Sequence, residues 1–159
     1  MRAGNMKIIV IADPDLSEIE EMLELVSKVH NLDDILPSVD VLKKSNMTQA
    51  EYLKSGWCYL WYDAETLKPL GYTLFAFEKT RHKERFPFFL FGATQFCEIK
   101  HILKVKKAML NVMRNAFKNQ VRAYIDTERI AKFAKAHGFL KLKKKDFIWA
   151  KAVARSTRE

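Results

Sequence analysis

The stretch Val121–Val153, VRAYIDTERIAKFAKAHGFLKLKKKDFIWAKAV, decides the fold of this chain. Val121, Ala123 and Ile125 alternate with polar neighbours, the period of a half-buried strand. Asp126 and Thr127 read as the N-cap of a helix from Glu128 to His137, because a short polar side chain can accept from the orphan N–H groups of a first turn. Ile130, Phe133, Ala134 and Ala136 give that helix its apolar side, and Gly138 ends it, since glycine takes a left-handed conformation without penalty. Phe139, Leu140 and Leu142 open a strand, Lys143–Asp146 form a charged turn, and Phe147–Val153 return. The expectation is strand, short helix, closing hairpin.

Working outward, Lys100–Phe117 is the most periodic helix in the chain, with Ile102, Val105, Met109, Val112, Met113 and Ala116 as one stripe. Lys104, Lys107, Arg114 and Lys118 lie away from that stripe. Before it, Cys58–Tyr62, Leu70–Glu78 and Phe86–Phe91 read as strands joined by the turn DAETLKP and a charged loop at Thr80–Arg85. Connections this short imply an antiparallel meander. At the N-terminal end, Lys7–Ala12 reads as a strand, Asp13-Pro14 as a helix start, and Leu16, Ile19, Leu23, Val26 and His30 as the helix stripe. Asn31–Asp40 reads as loop broken by Pro37, and Thr48 with Glu51 as a capping box for a short helix ending near Gly56. The predicted order is β, α, α, β, β, β, α, β, α, β, β: an α+β chain with a mixed, mostly antiparallel central sheet flanked by helices in three layers.

The 159 residues read as a single domain, 1–159, with residues 1–6 and 154–159 as loose ends. Apolar content of 48% argues for a packed core and against disorder. Cys58 and Cys97 follow no metal or redox spacing and read as free thiols of a reducing compartment. No pair of the four histidines has i, i+4 spacing with a helical carboxylate and no cluster of His and Cys stands out, so no metal is expected. No apolar run approaches a membrane span, and a cytoplasmic protein is expected. Charge is lopsided. Residues 1–96 hold 11 Lys and Arg against 14 Asp and Glu, while residues 97–159 hold 17 against 5. A basic C-terminal half points to an anionic partner, whether nucleic acid, an acidic protein or a phosphorylated cofactor, or simply to a solvated lysine face.

The element order, together with GFLKLKKKDFIWAKAV after a short helix, resembles the GNAT acetyltransferase superfamily. The layout, with QFCEIKHILKVKKAML leading into a basic helix, also resembles small GNAT-like proteins of tailed phages, one divergent member of which is linked to virion assembly. The resemblance implies acetyl-CoA as cofactor and an amine, on a small molecule or a protein, as acceptor. It implies that backbone groups of Phe91, Gly92 and Ala93 hold the pantetheine, and that Lys104, Lys106 and Lys107 meet the phosphates. Lys104 and Lys106 stand where the family carries small residues, with His101 at the first position of the motif. Glu78, Glu98 and Asp126 are the carboxylates that could act as general base, with Glu78 and Asp126 the catalytic candidates. Ala134 stands where the family often has a tyrosine.

Three readings stay open from sequence. The first is a divergent N-acetyltransferase. The second is a catalytically inactive GNAT-like binding or virion-assembly protein, in the host cytoplasm if phage-encoded. The third is a basic nucleic-acid-binding module.

Overall fold

A computed structural model of the chain describes residues 7–79, 85–118, 120–124, 128–136, 138–141 and 148–151. Strand β1 (Ile8–Ala12) leads into helix α1 (Leu16–Ser27). Asp15 caps α1, in place of the expected Asp13. Its carboxylate accepts from the Glu18 N–H at 2.8 Å, while Glu18 Oε1 accepts from the Asp15 N–H at 3.0 Å. This reciprocal box satisfies two orphan donors at once, which Asp13 beside Pro14 could not do. Asp13 instead takes a positive φ of 49° and donates its N–H to the Cys58 carbonyl at 3.1 Å. Ile19, Met22, Leu23 and Val26 form the buried stripe of α1.

Residues 31–40 were expected to be loop. They hold α2 (Leu32–Ile35) and the start of α3 (Val39–Lys43). Asn31 and Ser38 cap these short helices by accepting from the N–H groups of Asp33 and Val41 at 3.1 and 3.2 Å. Helix α4 (Gln49–Ser55) carries the expected Thr48–Glu51 box and stops at Gly56.

The remaining elements are β2 (Trp57–Asp63), β3 (Pro69–Lys79), β4 (Arg85–Ala93), α5 (Ile99–Phe117), β5 (Arg122–Tyr124), α6 (Glu128–Ala136), β6 (Phe139–Lys141) and β7 (Ile148–Lys151). The strand order is β1-β2-β3-β4-β5-β7-β6. β1 runs antiparallel to β2 from Ile8↔Asp63 to Ala12↔Tyr59. β2 runs antiparallel to β3, with Trp61 opposite Gly71 and a bulge between Trp61 and Tyr62. β4 and β5 are parallel at Phe88↔Arg122 and Phe89↔Ala123, joined by α5 as a parallel pair requires. β7 is antiparallel to both β5 and β6. The sheet is therefore mixed and mostly antiparallel, as the sequence led us to expect.

The chain divides into two compact units, Met1–Ala76 with Leu90–Lys107, and Phe77–Phe89 with Ala108–Glu159. In the first unit Ile19, Leu53, Leu60, Leu70, Tyr72, Leu74 and Phe75 are fully buried. There Trp61 Nε1 donates to Thr73 Oγ1 at 2.9 Å within the β2–β3 hairpin, both side chains being buried. In the second unit Phe88, Met109, Met113, Val121, Ala134 and Phe139 are buried, and Phe77 meets Phe117 edge-on at 5.9 Å. Gly138 has φ +88° and donates its N–H to the Lys135 carbonyl at 3.1 Å, closing α6 as expected. Arg85, expected to end the loop from Thr80, begins β4; residues 80–84 and the charged turn at 143–146 lie outside the described residues, as do both chain ends. Among the described residues no helix is long and apolar enough to cross a membrane.

Candidate functional site

The segment that runs from the end of β4 into α5 lies within the first unit. Phe91 and Ala93 are half-buried and Gly92 is buried. The two glycines here serve close strand packing. A Cβ at Gly92 would run into the ring of Tyr72, and a Cβ at Gly71, whose φ is +150°, would run into the Gly92 carbonyl. Tyr72 is fully buried and its hydroxyl has no hydrogen-bond partner among the described residues.

Thr94, 2% exposed, turns the chain out of β4. Its N–H donates to the Leu70 carbonyl at 2.9 Å. Its hydroxyl donates to the Pro69 carbonyl at 2.6 Å and accepts from the Phe96 N–H at 3.2 Å. The Cys97 N–H then donates to the Thr94 carbonyl at 3.2 Å. Beside this turn Lys68 Nζ lies 5.0 Å from the centre of the Phe96 ring.

His101 closes the segment from the helix side. It is 3% exposed, in the third position of α5. Its Nδ1 accepts from the Glu98 N–H at 3.0 Å, reaching back as the glutamate of a capping box does. A nitrogen that accepts carries no proton, so the proton sits on Nε2, which donates to Asp63 Oδ2 at 3.1 Å. Asp63 Oδ1 also accepts from the N–H groups of Glu65 and Thr66 at 2.8 and 3.2 Å. The Glu65 N–H bond first, then the His101 bond and the Thr66 N–H, hold the Asp63 carboxyl below its ordinary pKa of 3.8. Asp63 and His101 thus tie the β2–β3 turn to the N-terminus of α5.

The sequence reading put Asp63 in a turn and His101 at the first position of the phosphate motif, and did not pair them. Two signals were available. One is a histidine three residues after a cap position. The other is Asp63-Ala64-Glu65-Thr66, whose aspartate can accept from the next two N–H groups.

These bonds decide which donors remain. The N–H groups of Phe96, Cys97 and Glu98 are taken by Thr94 and His101. The first intrahelical bond of α5 is Ile102 N–H to the Glu98 carbonyl at 3.1 Å. That leaves the N–H groups of Ile99, Lys100 and His101 unbonded among the described residues, at the positive end of a 19-residue helix. Lys104 and Lys106 lie in the second turn of α5, past the turn at 94–98. Lys104 and Lys107 are exposed, and Lys106 is half-buried with its ammonium pKa lowered by burial. Glu78 lies in β3, and Asp126 lies outside the described residues. Ala134 is buried in α6. No three His, Cys, Asp or Glu side chains gather as a metal site among the described residues.

The arrangement fits an anion at the first turn of α5, where three N–H groups are unbonded among the described residues and Lys100 stands in the same turn. It does not fit a glycine-lined phosphate turn, because three of that turn's donors are already bonded. Glu98 also places a carboxylate at the same helix end, with Lys100 Nζ at 3.9 Å from it.

The fold is that of solved acetyltransferases. A ribosomal-protein-S5-alanine acetyltransferase from Vibrio fischeri superposes with a TM-score of 0.60 at 14% identity, over 100% of this chain and 98% of that one. A predicted acetyltransferase from Clostridium acetobutylicum, solved with acetyl-CoA, gives 0.53 at 12% identity over 87% of this chain and 93% of that one. An acetyltransferase from Trypanosoma brucei gives 0.53 at 12% over 89% and 96%. No protein-family model and no curated protein matches the chain. Likeness at this identity establishes the GNAT fold and leaves activity to be argued from the residues.

Proposed function

We propose that this chain is a divergent GNAT-type N-acetyltransferase that moves an acetyl group from acetyl-CoA to an amine on a small molecule or a protein. One observation carries the reading. Among the described residues the parallel β4–β5 pairing covers Phe88 and Phe89, four residues short of the end of β4, and the helix that follows opens with three N–H groups unbonded among those residues. Acetyl-CoA supplies the acetyl group as a thioester that a neutral amine can attack directly. On this reading the backbone of Phe91, Gly92 and Ala93 aligns the pantetheine. The N–H groups of Ile99, Lys100 and His101 hold phosphate oxygen, and Lys104, Lys106 and Lys107 add charge. A carboxylate, Glu78 or Asp126, takes the proton that an ammonium must lose before it attacks.

A second reading has its own support. Thr94 and His101 occupy the N–H groups a phosphate turn would use, Glu98 repels an anion there, and Ala134 offers no acid for a leaving thiolate. These features favour a GNAT-fold binding or assembly protein without catalysis, of the phage type.

Calorimetric titration with acetyl-CoA and with CoA separates the two. The first reading expects saturable binding tighter than about 100 μM, equivalent to roughly 5.5 kcal/mol, weakened when Lys104 and Lys106 become Glu. Binding should then be followed by release of free CoA thiol in the presence of an amine panel. No heat and no thermal stabilisation at millimolar ligand would reject the acetyltransferase and leave the binding protein.

A further inference from the structure

Helix α5 carries a basic row that continues well past the lysines proposed to meet acetyl-CoA. Between Ile99 and Phe117 it has no acidic residue. Lys100, Lys104, Lys107, Asn111 and Arg114 follow one another at spacings of three and four, and Lys118 comes just past the last turn. Such spacing stacks side chains on one helix face. All six are exposed, while Val105, Met109 and Met113 on the other side of the helix are buried. From Lys100 to Arg114 the row is about 21 Å long at 1.5 Å per residue.

The row is scarcely neutralised. Lys100 has the loose, exposed contact with Glu98, and Arg114 Nη2 donates to Asn111 Oδ1 at 3.0 Å. Lys104, Lys107 and Lys118 have no ion-pair partner among the described residues. Like charges at this spacing destabilise a helix, and a bound polyanion would relieve that repulsion. The face offers little to a protein partner. Ile99 and Leu103, at its N-terminal end, are its exposed large apolar side chains, and protein interfaces need a buried apolar core. It offers no exposed aromatic ring on which unpaired bases could stack, as single-strand binders do.

We propose that this face of α5 binds the phosphate backbone of duplex nucleic acid without reading its sequence. The inference does not depend on acetyl-CoA binding, so either can fail alone. The test is the anisotropy of a fluorescent duplex of random sequence, with the full chain, across roughly 50 to 200 mM salt. Five phosphate contacts give a slope of log affinity on log salt of about −4.5, a loss of roughly 500-fold over that range. The variant R114Q/K118Q should bring the slope to about −2.7, a loss of roughly 40-fold. The variant K28Q/K43Q removes the same charge from exposed sites elsewhere and should leave the slope unchanged. Thermal melts confirm that both variants fold. Three results would each overturn the proposal: no binding at the low-salt end, equal slopes for the two variants, or stronger binding to single strands or polyglutamate than to the duplex.

Discussion

Replacing His101 with alanine should loosen the first unit more than any other single polar change among the described residues. The side chain is 3% exposed and makes two bonds, one from the Glu98 N–H and one to the Asp63 carboxylate. An ordinary bond contributes about 1 kcal/mol and one to a charged acceptor about 2 kcal/mol, so the loss is about 3 kcal/mol before any cavity is counted. For a chain of this size that corresponds to a fall in melting temperature of roughly 6–12 °C. Glutamine is the informative control. Its carbonyl can accept from the Glu98 N–H, as in a capping box, while its amide donates to Asp63. His101→Gln should therefore stay within about 1 kcal/mol of the native chain. Urea titrations of the three proteins at neutral pH measure both differences. The reasoning fails if alanine costs less than about 0.5 kcal/mol, the level of an ordinary surface change, or if glutamine costs as much as alanine.

Asp63 sets an acid limit. Its folded pKa lies below the ordinary 3.8, so its contribution is complete above that value and disappears as pH falls through the folded pKa. The stability gap between the native chain and Asp63→Asn should be constant in neutral and mildly acidic buffer and close at lower pH, as urea midpoints along a pH series would show. Gly71→Ala should cost more than Gly92→Ala. The first meets a backbone carbonyl at a φ of +150°, the second the ring of a fully buried tyrosine, and each should lose at least about 1 kcal/mol by thermal melting. Tyr72→Phe should raise stability by about 1 kcal/mol, because it removes a buried hydroxyl that bonds to nothing among the described residues. A fall in melting temperature would instead reveal a partner for that hydroxyl.

Much of the fold could be read from the sequence because its long elements are periodic. Helix α5 and the runs at Cys58, Leu70 and Phe86 each repeat their pattern often enough to identify the element. Helices α2 and α3 could not be read this way, since four or five residues complete barely one turn. What forms them is capping by Asn31 and Ser38, a signal easily taken for loop. The cap of α1 was misplaced because Asp13-Pro14 is the louder local signal, although Asp15 has the better partner in Glu18. Asp63 and His101 stand 38 residues apart and carry no shared local pattern, so their pairing appears only in three dimensions. Bonded by Thr94 and His101, the connector is short and α5 begins at Ile99, so Lys104 is already in the second turn.

The bond from Trp61 to Thr73 has a consequence for how the β2–β3 hairpin assembles. Side chains alternate between sheet faces, so a pairing displaced by one residue would carry the indole to the face opposite Thr73. Its N–H would then be stranded in an apolar layer, at the full desolvation penalty of an unpaired donor. The bulge beside Trp61 and the glycine opposite it admit only one alignment at that point. The hairpin therefore proof-reads itself: a mispaired β2 is penalised at Trp61, one of its buried residues.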